Sequence, residues 1–390
     1  MRATIVRATT LLCGALAAAA CAGGAGPAPA DGPDPGPKTA VASAPGSTAR
    51  AAPATPDTGG ADPALPHVHL IATGGTISNT DDGERLTGEE IVASVPGLDA
   101  VAVLTVEQFS NIASGRMTPE LWLDLARHVK AAFREWPDLA GVVITHGTDT
   151  MEETAYFLDL VLGVDRPVTV VGAMRNSARL SSDGEANFYN AVRWVAHPGA
   201  RGRGVTVVMN DLVLPAREAT KTNTSRVNAF DAGRRGPLAV MDPDTVALVE
   251  PPGGRPAPLL DPDSVESLPR VDIIYSYAGA DGALVDAAVE AGAAGLVFAA
   301  VGRGGATPGQ WEAMTRALEA GVHVVASSRT MGGRVPVGGA GRAMADDWEP
   351  GEGIRFGADS LTPQKARILL MVGLHVTSDP AGLLELFRRY

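Results

Sequence analysis

Two stretches rich in glycine and threonine carry the residues of this chain that could do chemistry. They are residues 67–78 and residues 141–154. In each stretch a hydrophobic run ends in threonine and glycine, and a polar turn follows. This pattern places hydroxyl groups and backbone N–H groups at the carboxyl end of a buried strand, where open α/β sheets bind their ligands. Because the second stretch also carries Asp149, the pair predicts a site built around hydroxyl nucleophiles.

Each candidate residue taken alone has a simpler structural explanation. A Thr-Gly-Gly-Thr sequence is more often a turn than an active site. Thr148 and Asp149 could cap the helix that is expected to run to Leu160. A lone Lys221 is most often a solvated charge, and Ser114 could be an ordinary loop hydroxyl. Only the joint occurrence of these residues favours the functional interpretation.

The elements that must hold these residues alternate between strand and helix patterns. Hydrophobic strand runs are predicted at 67–72, 102–106, 141–145, 167–171 and 204–209. Such alternation predicts a parallel sheet that is covered by helices on both faces. A helix is predicted after Met117, with Thr118 as its cap, Pro119 in its first turn, and one buried face formed by Trp122, Leu125 and Val129.

A second and smaller unit is predicted after a proline-rich stretch. Strand runs at 271–277, 295–301 and 323–327 again alternate with helical patterns, and a helix that begins with Thr362 and Pro363 is expected to close the unit. The predicted fold class is therefore α/β with two domains. A larger N-terminal parallel-sheet domain (66–249) and a smaller C-terminal α/β domain (270–390) are joined by a linker (250–269).

The first residues have the pattern of an export leader. Arg2 and Arg7 precede an apolar run, 9–20, that is too short to span a bilayer, so 1–20 is predicted to be a signal peptide. Its end resembles a lipoprotein processing site with Cys21 as the lipidated residue, although a plain signal peptide cut nearby is the alternative. Residues 21–65 are rich in Ala, Pro and Gly, which is typical of a disordered tether. The predicted location is the cell envelope, as an exported lipoprotein, or otherwise the periplasm or the medium.

Composition excludes several classes of partner and chemistry. The formal net charge of −12 argues against nucleic acid as a partner. Both cysteines, Cys13 and Cys21, lie in the leader, so no thiol is expected in the mature fold. The histidines show no metal-binding spacing, so neither a metal nor a cofactor is implied, and His146 is expected to pack or hydrogen-bond beneath the second turn. The glycine-rich residues 302–305 are interpreted as a tight turn.

Four motifs in order resemble the bacterial type II L-asparaginases and glutaminase-asparaginases. They are TGGTI (73–77), HGTDTMEET (146–154), GAMR (172–175) and TKTNT (220–224). Asp183-Gly184, Asn187 and PQKAR (363–367) add support, and the resemblance extends from residue 66 to the C-terminus. It implies hydrolysis of L-asparagine to L-aspartate and ammonia through a threonine acyl-enzyme, with L-glutamine as a second candidate substrate. It also implies a homotetramer built as a dimer of dimers.

The resemblance also implies a role for each catalytic residue. A side-chain amide resists attack, so its hydrolysis needs an activated hydroxyl and donors for the oxyanion. Thr76 corresponds to the family's usual nucleophile, and Thr148 is grouped with Asp149 and Lys221. Lys221 can act as a base only when neutral, and Asp149 favours its charged form. Whether Lys221 is a base or orients Thr148 therefore stays open.

Substrate binding is assigned by the same resemblance. The backbone N–H groups of Gly75 and Thr148 are expected to stabilise the oxyanion. Asp149 is expected to bind the substrate's α-ammonium group, a charge-assisted contact that selects a zwitterionic amide. The remaining contacts are expected from Ser114 and the backbone of Gly115 and Gly147, for the α-carboxylate, and from the Ala173 carbonyl, for the leaving nitrogen.

Three departures from the family pattern leave alternatives open. Residues 79–92 lack the tyrosine that assists the first threonine in many type II enzymes. Gly115 and Arg116 stand where many members have Gln and Asp, and Gly279 stands at the position of an Asn that the family lends to a neighbouring subunit. An anchored amino-acid binding protein without turnover is therefore the main alternative, and calorimetry distinguishes the two. An amidotransferase subunit that acts on charged tRNA is disfavoured by the leader and the acidic charge.

Overall fold

The computed structural model describes residues 65–80, 83–251, 253–338, 353–377 and 379–390. The predicted signal peptide, nearly all of the predicted tether and the proposed lipidation residue Cys21 lie outside the described residues. Within those ranges, no helix has both the length and the apolar character that a membrane crossing requires.

The larger domain contains every strand expected from its sequence and several others. Its helices are α1 (Gly88–Ser94), α2 (Pro119–Glu135), α3 (Met151–Val161) and α4 (Gly184–Ala196). Its strands are β1 (His67–Gly74), β2 (Val103–Ile112), β3 (Gly141–Thr145), β4 (Val168–Val171), β5 (Val205–Met209), β6 (Leu212–Pro215), β7 (Thr220–Lys221), β8 (Phe230–Asp231), β9 (Ala239–Met241) and β10 (Val246–Leu248).

The strand order of the main sheet contains a reversal at which a ligand can be expected. The order is β10-β9-β6-β5-β4-β3-β1-β2, and the strands from β2 to β5 run parallel. From β1 the chain crosses to β2 on one side and then to β3 on the other side. The order therefore reverses between β1 and β3, and ligands of open α/β sheets bind outside the carboxyl ends of strands at such a reversal. Both threonine-bearing turns follow these two strands.

One edge of the sheet is antiparallel, so the predicted parallel sheet is mixed, although most of it is parallel. Strands β5 and β6 pair antiparallel, and β9 and β10 continue the same pattern. Asn210 and Asp211 connect β5 to β6 with φ angles of +49° and +63°. Two successive residues with positive φ form the tight turn whose twist suits an antiparallel hairpin. The Asn-Asp pair was the local signal for this reversal.

Helix α2 has the structure that its sequence predicts. The Thr118 side chain accepts a hydrogen bond from the Leu121 backbone N–H at 3.3 Å, and Pro119 is the first helical residue. Trp122, Leu125 and Val129 are almost completely buried in one hydrophobic cluster. Burial of each such side chain stabilises the fold by about 1.5–3 kcal/mol.

The smaller domain is a four-stranded parallel sheet with helices. Its strands are β11 (Val271–Tyr275), β12 (Gly295–Ala300), β13 (His323–Ser328) and β14 (Arg355–Gly357), in that spatial order. Its helices are α5 (Ala283–Glu290), α6 (Pro308–Glu319), α7 (Pro363–Val376) and α8 (Pro380–Arg389).

Helix α7 does not close this domain, because α8 follows it. Asp379 caps α8 by accepting hydrogen bonds from the backbone N–H groups of Ala381 and Gly382, and Pro380 occupies the first turn. This Asp-Pro pair is itself a helix-start signal. The expected Thr362 cap is also corrected, since its side chain makes no capping hydrogen bond at α7.

The stretch between the two domains packs against the larger domain. The backbone N–H of Leu259 donates to the Leu160 carbonyl at 2.8 Å, and Arg127 donates to the Pro262 carbonyl at 3.0 Å. Lys130 forms ion pairs with Asp261 and Asp263. These contacts attach the described part of the linker to helices α2 and α3.

Candidate active site

The turns that follow β1 and β3 lie directly against each other. Gly74 and Gly75 have φ angles of +109° and +95°, which L side chains rarely adopt. A Cβ atom on Gly75 would lie 2.3 Å from the backbone nitrogen of Gly147 and 2.4 Å from its Cα. Glycine at 75 therefore allows the backbones to touch. Thr76 follows at once, half-buried, as the first residue of a short 3-10 turn, Thr76–Ser78.

The second turn holds a hydroxyl, an amine and a carboxylate in contact. The Nζ of Lys221 donates to Thr148 Oγ1 at 2.8 Å and to Asp149 Oδ1 at 2.6 Å. Thr148 is buried, whereas the Asp149 side chain is 78% exposed and Lys221 only 15%. Since Thr148 accepts from Lys221, its own hydroxyl proton remains available to a ligand.

Helix α3 excludes the simpler explanation of Thr148 and Asp149. The helix begins at Met151, and the residue at its N-cap is Thr150. The carboxylate of Asp149 is paired with Lys221 rather than with a helix N–H. Thr148 and Asp149 therefore do not serve as a cap.

Lys221 is positioned by a hairpin that sequence reasoning did not predict. Its strand, β7, pairs with β8, and the Lys221 backbone N–H donates to Glu152 Oε1 at 3.2 Å. Glu152 is buried in the first turn of α3. The hairpin is thus anchored to the helix that follows the Thr148 turn, which fixes the distance between the amine and the hydroxyl.

A buried lysine from the smaller domain supports the same hairpin. Lys365 donates to the backbone carbonyls of Ala216 and Arg217 at 2.9 and 2.8 Å, and to that of Ala219. Its Nζ also lies 4.0 Å from Glu152 Oε2. Burial lowers the pKa of Lys365 to about 8. The only sequence signal for this role was a lysine at the start of an apolar helix.

The predicted carboxylate-binding residues lie beside the second turn. A Cβ atom on Gly147 would lie 2.7 Å from Ser114 Oγ, so the buried Ser114 packs against this glycine. The Thr150 hydroxyl donates to the Ser114 carbonyl at 2.8 Å and ties the two loops together. Gly115 is exposed, and a Cβ atom there would meet nothing within 4 Å.

The segment after β4 reaches both turns. A Cβ atom on Gly172 would lie 3.3 Å from the methyl carbon of Thr148. On the other side, a Cβ atom on Gly184 would lie 3.3 Å from Ile77 Cγ1 and 3.4 Å from the Cβ of Ala173. The buried Ala173 therefore lies between the two turns: its neighbour Gly172 is next to Thr148, and Gly184 separates Ala173 from Ile77. The predicted catalytic and substrate-binding residues, all of which are described, lie at this one edge of the sheet.

His146 lies beneath the second turn, as predicted. It is buried, with Nδ1 at 2.7 Å from the Gly147 carbonyl oxygen and Nε2 at 3.0 Å from Thr154 Oγ1. Burial lowers the pKa of His146 to about 4. The imidazole is therefore neutral at neutral pH.

Two further sequence interpretations can be placed in the fold. Gly279 lies in an exposed turn between β11 and α5 with a φ of +78°, and a Cβ atom there would meet nothing within 4 Å. Val301 and Gly305 exchange backbone hydrogen bonds at 3.0 and 2.9 Å, which confirms the tight turn predicted at 302–305. Among the described residues, no group of three or more His, Cys, Asp or Glu side chains could hold a metal ion.

The fold and the candidate site together define a two-domain α/β protein that brings two threonine turns, a lysine and an aspartate to one edge of its larger sheet. Comparison with known proteins makes this class specific. The family model "Asparaginase, N-terminal" matches residues 67–252, and "Glutaminase/Asparaginase C-terminal domain" matches residues 270–387. The chain belongs to the asparaginase family, which confirms the resemblance found in its motifs and the enzyme class that it implied.

Individual relatives cover nearly the whole described body. L-asparaginase 2 of Escherichia coli is 39% identical over 342 residues, which are 85% of this chain and 95% of the relative. The glutaminase-asparaginase of Pseudomonas fluorescens biotype A is 36% identical over 338 residues, 84% of this chain and 91% of the relative. A crystal structure of a probable cytoplasmic L-asparaginase from Campylobacter jejuni superposes with a TM-score of 0.77 and 38% identity, covering 83% of this chain and 100% of that one.

The Campylobacter jejuni structure corrects the predicted location of this protein. That relative shares the two-domain body and is described as cytoplasmic, which contradicts the expectation of an exported protein. The body of the fold therefore does not require export. The expectation rested on the first 21 residues, a local pattern outside the described structure, and it is withdrawn.

Proposed function

We propose that this protein hydrolyses L-asparagine to L-aspartate and ammonia through a threonine ester. One observation carries the proposal: Lys221 contacts both Thr148 and Asp149, while the turn bearing Thr76 touches the turn bearing Thr148 through Gly75 and Gly147. These contacts support a substrate site in the crevice between the two turns, at the switch point of the sheet, formed by two hydroxyls, an amine and a carboxylate. Membership in the asparaginase family supports the choice of substrate.

The reaction divides into two acyl transfers. In the first, the Thr76 hydroxyl oxygen bonds to the side-chain carbonyl carbon of asparagine, the C–N bond breaks, and ammonia leaves with the hydroxyl proton. In the second, a water molecule attacks the ester carbon, the C–O bond to Thr76 breaks, and aspartate is released as the hydroxyl proton is restored. A covalent intermediate of this kind replaces one difficult step with two easier ones.

The remaining residues stabilise and orient the reacting groups. The backbone N–H of Thr148 stabilises the oxyanion that forms in both steps, and such a donor typically contributes about 10²–10³ in kcat. The expectation of a second donor at Gly75 is corrected, because the Gly75 N–H donates to the Ile112 carbonyl at 3.1 Å. Lys221 orients Thr148 by donating to its hydroxyl, and its ion pair with Asp149 favours this role over that of a neutral base.

Substrate selection falls to groups on three sides of the crevice. Asp149 is well exposed and can pair with the α-ammonium group. Ser114, with the backbone of Gly115 and Gly147, binds the α-carboxylate, and the Ala173 carbonyl accepts from the leaving amide nitrogen. Fixing both α-groups of the substrate holds its side-chain amide in position for attack.

Ammonia release from L-asparagine by the purified chain tests the activity. The variants Thr76→Ala and Thr148→Ala test the chemistry, and each is expected to lower kcat by at least about a thousandfold because each removes a reacting or orienting hydroxyl. Acid quenching followed by peptide mass spectrometry should place the aspartyl ester on residue 76. Unchanged activity in both variants would refute the mechanism.

L-glutamine is a second candidate substrate, because the Pseudomonas fluorescens relative is named a glutaminase-asparaginase. Rates on the two amides, measured side by side, decide the preference. The homotetramer implied by the sequence resemblance stays a prediction, which light scattering of the purified chain checks.

A further inference from the structure

We propose that two side chains, the buried His146 and the half-buried Asp183, polarise the two peptide groups that touch the substrate's side-chain amide, so that one becomes a stronger donor and the other a stronger acceptor. His146 acts on the Gly147–Thr148 peptide, and Asp183 acts on the Ala173–Met174 peptide. Both are positioning residues, since neither touches the substrate. The inference rests on the proposed function, which assigns the Thr148 N–H to the oxyanion and the Ala173 carbonyl to the leaving nitrogen.

The direction of the hydrogen bonds around His146 follows from the donors available. The indole N–H of Trp122 can only donate, and it points to Thr154 Oγ1 at 2.8 Å. The Gly147 carbonyl oxygen can only accept, so the ring proton of the neutral His146 lies on Nδ1, which donates to it at 2.7 Å. His146 Nε2 then accepts from the Thr154 hydroxyl, 3.0 Å away.

This series of hydrogen bonds ends on the carbonyl of a peptide group whose N–H lies in the candidate site. The Gly147 carbonyl and the Thr148 N–H belong to one peptide group. A donor at the carbonyl draws electron density toward the oxygen and makes the N–H of the same peptide a stronger donor. Trp122, Thr154 and His146 are all nearly fully buried, so water does not compete for these bonds.

On the other side of the crevice, Asp183 binds the N–H end of a peptide group rather than its carbonyl end. Its carboxylate accepts from the backbone N–H of Met174 at 3.1 Å and from that of Arg175 at 2.8 Å. Asn187 Nδ2 donates both to this carboxylate and to the Gly172 carbonyl, each at 3.0 Å. Although Asp183 is the N-cap residue of α4, its side chain caps no helix N–H and serves this segment instead.

The peptide held by Asp183 also has its other end in the site. The Met174 N–H and the Ala173 carbonyl belong to one peptide group, and an anionic acceptor at the N–H makes the carbonyl a stronger acceptor. One side of the crevice thus favours negative charge on the substrate's carbonyl oxygen. The other side holds the N–H groups of the nitrogen that must leave.

An ester substrate separates this role from a structural one. The β-methyl ester of L-aspartate forms the same threonine ester and the same oxyanion, but its leaving oxygen carries no N–H. In Asp183→Asn we expect kcat for asparagine to fall about tenfold, less than loss of a whole donor or acceptor, with kcat for the ester within about twofold of wild type. Aspartate formation is measured for both substrates, so the fraction of folded enzyme cancels in their ratio.

Variants at 146 test the oxyanion side. In His146→Leu, kcat is expected to fall about tenfold for both substrates, with KM within about twofold, because the donor to the Gly147 carbonyl is gone. His146→Asn places a side-chain N–H where Nδ1 lies, and it should restore most of the loss. A matched control is Asp211→Asn, since Asp211 also accepts from an asparagine of α4, Asn190, at 2.9 Å. It should leave the amide-to-ester ratio unchanged.

The outcomes distinguish the inference from the proposed function. Equal losses on amide and ester in Asp183→Asn, or equal activities of His146→Leu and His146→Asn, would overturn the inference alone. A wild-type chain that hydrolyses neither substrate would overturn the proposed function, and the inference with it.

Discussion

The two threonine turns look alike in sequence and differ in how they are supported. The turn at Thr76 is held by backbone geometry, through two glycines with positive φ and contact with Gly147. Among the described residues, no hydrogen bond involves the Thr76 hydroxyl. Thr148, in contrast, is buried and bonded to Lys221, and His146 packs beneath it. Similar motifs thus serve different purposes: one presents an accessible hydroxyl and the other fixes a hydroxyl rigidly.

The largest expected effect removes the support of Thr148. In Lys221→Met, kcat should fall about a thousandfold, because the hydroxyl loses the donor that orients it. Adding Thr148→Ala to this variant should cost little more, since both changes act on one unit. Steady-state kinetics measure the effect. Lys130→Met is the matched control, because Lys130 is likewise a lysine held in carboxylate ion pairs but lies on α2, away from the candidate site. A kcat of Lys221→Met close to that of Lys130→Met would contradict the role of Lys221.

The next largest effect is a loss of stability when Lys365, which holds the segment before the Lys221 strand, is replaced. Lys365→Met should lower the free energy of unfolding by about 3 kcal/mol, because three backbone carbonyls and the buried Glu152 lose their cationic partner. Urea unfolding measures this change. An unfolding midpoint equal to that of the wild type would show that the hairpin of Lys221 does not depend on the smaller domain.

Backbone contact at Thr76 is tested with a pair of glycine variants. In Gly75→Ala the new Cβ atom would meet the backbone of Gly147 and push the turns apart, so kcat should fall about a hundredfold. In Gly253→Ala, outside the candidate site, the Cβ atom meets nothing within 4 Å, and kcat should stay near wild type. Circular dichroism establishes that both variants fold. Equal kcat values in the two variants would show that turnover does not depend on backbone contact between the Thr76 turn and Gly147.

The smallest effect is a pH dependence of the free energy of unfolding, to which His146 beneath the Thr148 turn contributes. The pKa of His146 is about 4 in the folded chain and about 6.5 when unfolded, so between these values the unfolded chain binds more protons. Stability from this group therefore falls as the pH drops from about 6.5 toward 4, by about 2 kcal/mol at pH 5. Urea unfolding at pH 7 and pH 5 should show a shallower loss in His146→Asn. A parallel loss in both proteins would mean that other histidines account for it.

The sequence predicted local structure well and the order of the strands not at all. The five N-terminal strand runs and the capped helix α2 followed from hydrophobic period and capping residues. The antiparallel edge was missed, although Asn210 and Asp211 carried its turn signal. The motifs identified the residues of the candidate site, but they gave Asp183 and Lys365 no role. Lys365 acts on carbonyls 146 to 149 positions away, and Asp183 turns back onto a loop eight and nine residues before it. No sequence period records such contacts.

By itself, the sequence determined which segments become strands and helices, which residues carry hydroxyl, amine and carboxylate groups, and which family the chain belongs to. These properties depend on side-chain type and on spacing over a few residues. Tertiary structure alone decided that β1 lies between β2 and β3, that Lys221 meets Thr148 across 73 positions, and that His146 and Asp183 end on peptides of the crevice. Contacts between distant segments arise only when burial of the sheet's two faces sets the strand order and brings those segments together.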